Sequence, residues 1–394
     1  MRIPLQFLSA VVAIMVLLDW RIYALLSKRH GKKTAGVHLL LSSLVWCLLI
    51  VAVCLPRRSG GDETLLTVMW LLFAVATVFL SKLVFVAVDL IACVPLLWHS
   101  KRWRAVSLTG LVLAAATFFG MWWGALINRF NIDVREIDIE IAGLPEGFEG
   151  YRILQFSDLH TGTYGTDTTF VAKLTDRINS IGADMIVFTG DIVNRHSDEL
   201  TPFIPALSRL HAPDGVYSIL GNHDYGDYFE WKSPADKRRS FDNLIDAERL
   251  MGWHLLRDSH ETVRRGNDSI AVIGVENIGD PPFPSYGSLP RATRGLSPDV
   301  CRILLSHNPA HWEREIASGS NRIGLTLAGH THAMQIEIAG LSPAAWRYKR
   351  WGGLYSDDNG ERKLYVNIGA GTVGMPMRVG ATPELTVFTL HRKR

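Results

Sequence analysis

Residues 151–160 have the sequence YRILQFSDLH, a short apolar run followed at once by polar residues. An apolar run of this length, bounded by such residues, predicts a buried strand. The residues behind it include Asp158 and His160, whose side chains can both bind a metal ion. The stretch therefore predicts a strand of an α/β domain that delivers metal-ligating groups at its carboxyl end.

The same arrangement recurs four more times along the chain. The further stretches are 184–191 (DMIVFTGD), 216–224 (VYSILGNHD), 302–307 (RILLSH) and 323–332 (IGLTLAGHTH). Open α/β sheets gather ligand sites at the carboxyl ends of their strands, so groups that are distant in sequence can converge there. Each stretch alone is weak, because Asp-x-His and Gly-Asp are also common in caps and turns. Their joint occurrence in this order indicates a single site.

Taken together, the motifs D-x-H, G-D, G-N-H-D, a later isolated histidine and G-H-x-H resemble the calcineurin-like metallophosphoesterase superfamily. The resemblance extends over about residues 136–390 and is greatest to the membrane-bound bacterial branch. It implies a domain over residues 131–394 in which two β-sheets form a sandwich flanked by helices. It also implies a metal-dependent phosphoesterase that acts on a phosphoester substrate.

The resemblance carries seven metal ligands onto this sequence and implies two divalent ions, of Mn, Fe or Zn. Oxygen and imidazole ligands suit these metals, and two such ions can hold both an attacking oxygen and a phosphoryl group. A bridging hydroxide and two anionic ligands would leave the pair of ions with a positive charge that attracts phosphate. The implied ligands are Asp158, His160, Asp191 and His332 for the first ion, with Asp191 bridging, and Asn222, His307 and His330 for the second.

Four further residues follow from the same resemblance. His223 is similar to the family histidine that donates a proton to the leaving group, and Asp224 is its candidate orienting partner. Arg195 and Arg378 are candidates for binding the substrate phosphates, and each is equally expected as a structural arginine. The predicted catalytic residues are therefore His223 and Asp224.

Two features depart from the family pattern. Purple acid phosphatases have a tyrosine at the position of Asn194, so an Fe(III)–tyrosine site is not expected. Relatives often have two glycines after G-H-x-H, whereas Ala333 and Met334 stand here. The second departure leaves the geometry of that loop open.

The first third of the chain predicts a membrane anchor. Only 20% of all residues are charged, below the ~25% typical of soluble proteins. About 20 helical residues cross a hydrocarbon core, and each of four apolar stretches is long enough. The third stretch is overlong but has no Gly or Asn at which to divide. We expect four helices within residues 1–130, formed by the stretches 5–26, 38–55, 65–98 and 106–127.

The loops between these stretches predict the orientation, because Lys and Arg are retained on the cytoplasmic side. The first and third loops contain seven Lys or Arg residues, whereas the second contains only Arg57 and Arg58. We therefore expect a multi-pass plasma-membrane protein whose catalytic domain is extracytoplasmic. This sidedness would reverse if the 65–98 stretch crossed the membrane twice.

Two ionisable residues lie inside the third apolar stretch. Lys82 and Asp89 are seven positions apart and share one helix face. We interpret them as an internal ion pair or a snorkelling lysine, with an ion path or a lipid-headgroup path as the alternative.

Composition excludes some classes of protein and leaves several functions open. A net charge of +3 over 394 residues, without a long basic block, argues against nucleic-acid binding. The expected partners are membrane lipids and a phosphoester substrate, while the oligomeric state stays open. The leading hypothesis is hydrolysis of a phosphodiester or pyrophosphate bond in a lipid- or nucleotide-linked molecule. The alternatives are a cytoplasm-facing pyrophosphohydrolase of UDP-linked lipid A precursors and a non-catalytic metal-binding membrane scaffold.

Overall fold

In a computed structural model of the chain, residues 5–99, 101–281, 284–319 and 322–393 are described. They form two compact units. One unit consists of the chain up to Leu126 together with Gly374–Met377, and the other consists of Ile127–Val373 together with the chain from Arg378. The predicted domain boundary between residues 130 and 131 stays a prediction. Residues 1–4 and Arg394, which the predicted domains include, lie outside the described residues.

The first unit is helical, and its four long helices are each apolar enough to cross a membrane, as predicted. The third is uninterrupted for 32 residues and is followed by a 3-10 turn, Val94–Trp98. A helix of this length is longer than is needed to cross a hydrocarbon core of ~30 Å at a rise of 1.5 Å per residue. It is nevertheless a single helix. The helices are α1 (Leu5–His30), α2 (Lys32–Cys54), α3 (Asp62–Cys93) and α4 (Arg104–Leu126).

Two carboxylates are buried among these helices, and cations from other parts of the unit neutralise them. The Nζ atom of Lys82 lies 2.6 Å from Oδ1 of Asp19. Asp89 pairs with Arg21 at 2.8 Å and also with Arg102. Lys82 and Asp89 are thus internal ion-pair residues, as interpreted, but they do not pair with each other. Both instead tie α3 to α1, and Asp89 also ties α3 to Arg102 in the segment before α4.

The second unit contains two six-stranded sheets and four shorter helices. The strands are β1 (Asp133–Ile141), β2 (Tyr151–Phe156), β3 (Met185–Phe188), β4 (Val216–Ser218), β5 (His254–Leu255), β6 (Ser259–Arg265), β7 (Asp268–Gly274), β8 (Cys301–Leu305), β9 (Ile323–Ala328), β10 (Gly353–Ser356), β11 (Lys363–Val366) and β12 (Glu384–Arg392). The helices are α5 (Thr169–Ile181), α6 (Ile204–Leu207), α7 (Pro234–Leu250) and α8 (Leu289–Ala292). The strand orders are β1-β12-β2-β3-β4-β5 and β10-β11-β9-β8-β7-β6.

Successive side chains along a strand point to opposite faces of the sheet, and in the first sheet both faces are apolar. Ile153 and Val187 pack with Ile303 of the second sheet in one buried cluster. Leu154 and Phe188 belong to a different cluster, together with residues of α5 and α7. Burying each such side chain contributes roughly 1.5–3 kcal/mol. The two sheets therefore enclose one core and helices cover the outer face of the first sheet, which confirms the predicted sandwich.

The registers align the carboxyl ends of the five predicted strands. Phe156 pairs with Phe188, and Phe188 pairs with Ser218, in the parallel strands of the first sheet. Leu305 pairs with Leu327 in the parallel strands β8 and β9 of the second sheet. All five strands are present, but they are divided between two sheets. The polar residues that follow these strands therefore come from the edges of two sheets. In a single open sheet they would all lie at one edge.

Candidate metal centre

The loops behind β2, β3, β4, β8 and β9 carry the seven predicted ligands, and the structure brings these side chains together in two adjoining groups. In the first group, Nε2 of His332 lies 3.2 Å from Oδ1 of Asp158. Nε2 of His332 also lies 3.0 Å from Nε2 of His160. All three side chains are buried, and their donor atoms lie within 4.8 Å of one another. This is the spacing of groups that share one cation.

The second group is centred on His307. Its Nε2 lies 3.2 Å from Oδ2 of Asp191, 3.2 Å from Oδ1 of Asn222 and 3.2 Å from Nδ1 of His330. The amide of Asn222 donates from Nδ2 to the hydroxyl of Tyr228 at 2.9 Å. Because that bond occupies the amide nitrogen, the amide oxygen faces His307.

Asp191 lies between the two groups. Its Oδ2 is 3.6 Å from Nε2 of His160 in the first group and 3.2 Å from Nε2 of His307 in the second. Its other oxygen accepts the backbone N–H of His223 at 2.8 Å, which fixes the carboxylate. One carboxylate is thus within reach of both groups.

The backbone at the ligands is strained. Positive φ angles occur at five of the seven predicted ligands, and each such L-residue costs roughly 1–2 kcal/mol. Such conformations persist where surrounding structure imposes them, and they are concentrated at functional sites. Ala333 and Met334 are also left-handed, with φ of 51° and 46°, where relatives often have glycine. The five strained ligands are Asp158, His160, Asp191, His330 and His332.

The motif glycines allow the loops to approach the carboxylates closely. A Cβ atom on Gly221 would lie 2.1 Å from Oδ1 of Asp191, and one on Gly329 would lie 2.3 Å from Oδ2 of Asp158. Neither distance is sterically possible. The glycines of the G-N-H-D and G-H-x-H motifs are therefore required by packing against the ligands themselves.

Hydrogen bonds orient the imidazole rings. Nδ1 of His160 donates to the carbonyl of Val193 at 3.2 Å, and Nδ1 of His307 donates to the carbonyl of Thr189 at 2.8 Å. These bonds place the proton on Nδ1 and leave Nε2 directed into the site. Contacts of this kind fix the tautomer of metal-binding histidines.

Burial and neighbouring charges set the protonation of the groups. Burial and the neighbouring His223 depress the pKa of His160 well below its usual value, and burial and His307 lower the pKa of His330 to about 3. Burial opposes ionisation of Asp191, but His307 and His223 hold its pKa well below the usual range. Burial also opposes protonation of His307, yet the charge of Asp191 raises its pKa to about 9. Neutral imidazoles and ionised carboxylates are the forms that bind metals, so His307 must release a proton before it binds one.

The donor set fits divalent Mn, Fe or Zn. Carboxylate oxygens and imidazole nitrogens are the ligands these ions take in proteins. The groups Asp158, His160, His332 and Asp191, His307, His330 each converge on a point that one cation could occupy.

Two family descriptions match the chain: "Calcineurin-like phosphoesterase" over residues 151–334 and "Probable Calcineurin-like phosphoesterase, transmembrane domain" over residues 1–129. The uncharacterized metallophosphoesterase YkuE of Bacillus subtilis is 31% identical over 301 residues, which cover 74% of this chain and 97% of that protein. The chain belongs to the calcineurin-like metallophosphoesterases. It is a metal-dependent phosphoesterase with a membrane-spanning helical segment.

This metallophosphoesterase is also similar to a fish protein and to a second bacterial protein. A transmembrane protein with metallophosphoesterase domain from Danio rerio is 29% identical over 301 residues, covering 74% of this chain and 64% of the fish protein. The UDP-2,3-diacylglucosamine pyrophosphatase LpxG of Chlamydia muridarum is 28% identical over 333 residues, covering 72% of this chain and 96% of that protein.

Asp224 lies elsewhere in the metallophosphoesterase site than predicted. Nδ1 of His223 donates to the carbonyl of Asn194 at 2.7 Å, so the backbone and not Asp224 orients this ring. The carboxylate of Asp224 accepts backbone N–H groups from Gly221, Asp191 and two further residues, at 2.8–3.2 Å. Burial, followed by the charge of Asp191, raises the pKa of Asp224 to about 7. Asp224 therefore joins the loops behind β3 and β4.

The two predicted phosphate-binding arginines are internal. Arg378 is fully buried, and its guanidinium donates to the carbonyls of Gly371, Ala381 and Ile368. Its Nη2 lies 3.2 Å from Nδ1 of His332, so it supports the ligand from behind. Arg195 is 3% exposed and pairs with Glu199 at 3.2 Å. Both guanidinium groups are thus held by partners inside the protein, and a contact of either arginine with substrate stays a prediction.

Two tyrosines near the ligands were not predicted as site residues. The ring of Tyr228 stacks on His223 with a centroid distance of 4.0 Å, and its hydroxyl accepts from Asn222. The hydroxyl of Tyr348 lies 3.2 Å from Nε2 of His330. Tyr348 lies in a run of aromatic and basic residues, 346–351. No motif contains either tyrosine, so only the fold reveals their position.

We expect Asp224→Asn to lower both stability and metal content. Asparagine offers one acceptor oxygen where four N–H groups are bound, and leaving buried donors unpaired costs about 1–3 kcal/mol. Denaturation of the purified protein and elemental analysis measure the two effects. The matched control is Asp176→Asn, an exposed carboxylate on α5 paired with Arg209, which should change stability by less than about 0.5 kcal/mol. Wild-type stability with lost turnover would favour an orienting role for Asp224 instead.

Proposed function

We propose that this chain hydrolyses a phosphodiester or pyrophosphate bond by means of two divalent ions, held by the seven residues of the candidate metal centre. The observation that carries the proposal is the position of Asp191, whose Oδ2 lies 3.6 Å from His160 and 3.2 Å from His307. A carboxylate shared by two ligand groups is suited to bridge two ions. When bound, such ions supply Lewis acidity to the phosphoryl group and a hydroxide nucleophile at neutral pH.

The charge of the site suits a phosphate substrate. Asp158 and Asp191 contribute two negative charges against the four positive charges of two divalent ions. Because Asn222 is a neutral ligand, a net positive charge remains for the anionic substrate. Arg195 and Arg378 are turned inward, so this charge is the main attraction for phosphate among the predicted residues.

His223 is placed to protonate the leaving group. Its Nδ1 proton is committed to the carbonyl of Asn194, and its ring lies against His160 at a centroid distance of 4.8 Å and stacks on Tyr228. The ring is half-buried, so Nε2 can be reached by a substrate. This geometry suits a general acid next to the reacting phosphoryl group.

The substrate class we favour is a lipid- or nucleotide-linked phosphodiester or pyrophosphate. Four membrane-spanning helices would keep the second unit near lipid substrates. The relative from Chlamydia muridarum is named for cleaving the pyrophosphate of a UDP-linked diacyl sugar, which supports that bond type as the second candidate. The complete set of ligands argues against a non-catalytic scaffold.

Assays on purified full-length protein with Mn, Zn or Fe test the two-metal proposal. We expect turnover of bis-p-nitrophenyl phosphate or a nucleotide-sugar pyrophosphate, and a loss of at least 100-fold in Asn222→Ala and His330→Ala, because each removes a ligand of the second ion. The control is His254→Ala, a histidine in β5 whose side chain is 45% exposed. Turnover within threefold of wild type in both ligand variants would refute the assignment.

His223→Ala should keep its metal content and lower kcat. As a general acid contributes about 10²–10⁴-fold, the loss should be greatest for alkyl esters, whose leaving groups need a proton. Comparing alkyl and p-nitrophenyl diesters measures this difference. An equal loss on both substrates would remove His223 from the acid role.

We propose further that the catalytic unit faces the outside of a plasma membrane. The seven Lys and Arg residues of loops one and three support a cytoplasmic position for both loops, and four crossings then return the chain to the outer side. A reporter that is active only outside the cytoplasm should be active when fused after Ile127 and silent when fused within residues 28–33. The reverse pattern would place the catalytic unit in the cytoplasm and would favour the UDP-lipid precursor as substrate.

A further inference from the structure

A large cavity opens at one end of the helical unit, and six of the thirteen residues that line it are basic. It has a volume of about 1230 Å³ and lies between the end of α1, the segment that follows α3 and the start of α4. All catalytic candidates lie beyond residue 157, so the cavity is separate from them in the chain. The six basic lining residues are Arg21, Lys28, Arg29, Lys101, Arg102 and Arg104.

The charge of the cavity is only slightly compensated. Asp89 is fully buried and pairs with Arg21 at 2.8 Å and with Arg102. The other four basic residues form no ion pair within the described part of the chain. Six cations against one carboxylate leave a surplus of five positive charges around a single cavity. Such a cavity attracts an anion and has the hydrogen-bond donors to bind one.

A mostly apolar groove of about 580 Å³ adjoins the basic cavity. Leu25, Arg29 and Arg104 line both the groove and the cavity, so the two are direct neighbours. The groove runs between α1 and α4 and is bordered by Leu108 and Leu111, among other apolar side chains. Cationic groups thus lie at the mouth of a hydrocarbon-lined groove on membrane-spanning helices.

Aromatic residues mark the same end of the unit as a membrane interface. Trp98 is 70% exposed and Trp103 is 53% exposed, and Trp103 lines the cavity. Tryptophan is enriched at the level of the lipid headgroups, where its ring contacts both hydrocarbon and water. The cavity therefore lies at headgroup depth and the groove extends toward the acyl chains.

We propose that this cavity and groove together bind one anionic phospholipid. The phosphate of the headgroup would lie between Arg29 and Arg104, and one acyl chain would occupy the groove beside Leu108. A free phosphate would satisfy the cations alone, whereas the adjoining apolar groove favours a lipid. This site is independent of the proposed hydrolytic function.

Native mass spectrometry of the full-length protein, titrated with phosphatidylglycerol in detergent, tests the site. We expect one tightly bound phosphatidylglycerol and at least tenfold weaker binding in the double variant Arg29→Gln/Arg104→Gln. The matched control is Lys32→Gln/Lys33→Gln, which removes two exposed cations from the same loop region outside the cavity and should change binding less than threefold. Equal losses in both variants would indicate general surface attraction and would overturn the proposal.

The groove is tested separately by filling it. Leu108→Trp should weaken phosphatidylglycerol binding at least fivefold, whereas Leu113→Trp, on α4 but outside both cavities, should leave it within twofold. Soluble glycerol phosphate should compete only at concentrations at least 100-fold higher than the lipid. Competition as strong as that of the lipid, or equal binding of phosphatidylcholine, would overturn the lipid assignment. An unchanged melting temperature of each variant in detergent verifies that the protein is folded.

Discussion

The carboxylate of Asp158 accepts the backbone N–H of His330 at 3.0 Å, and the metal centre depends on this contact. Asp158 follows a strand of the first sheet, and His330 follows a strand of the second. The contact therefore joins the two sheet edges at the point where the ligand groups meet. Asp224 does the same within the first sheet by accepting N–H groups from the loops behind β3 and β4. Buried carboxylates thus position the loops that carry the predicted ligands.

The site stores strain that the surrounding sandwich must offset. Left-handed backbone at His160 and Asp191 costs free energy, and the glycines at 221 and 329 are needed because neighbouring carboxylates lie in van der Waals contact. Divalent ions bound to the folded state would offset part of this cost, since ligands that bind only the native state stabilise it. Stability and catalytic geometry are therefore coupled, and loss of metal should weaken both.

Buried carboxylates also connect distant segments of the helical unit, where the environment is apolar. Asp19 and Asp89 are each paired with cations from other segments, because an isolated buried charge is costly within a membrane. These pairs fix the arrangement of α1, α3 and the segment before α4. The basic residues at the end of α1 and the start of α4 remain without acidic partners among the described residues, which leaves a surface suited to anionic headgroups.

The sequence determined the elements whose signals are local. Hydropathy over about 20 residues specified four membrane helices. Short apolar runs ending in polar residues specified five strands, because strand periodicity depends only on near neighbours. The resemblance of the motifs to a known family supplied the seven ligand candidates. The tertiary structure alone decided the contacts between distant segments. The strands belong to two sheets, which their periodicity did not show. Asp224 accepts hydrogen bonds from the backbone and does not orient His223, and Arg378 is buried next to His332. The tertiary structure also paired Lys82 and Asp89 with other segments, since a buried charge takes whichever partner the packing brings near it.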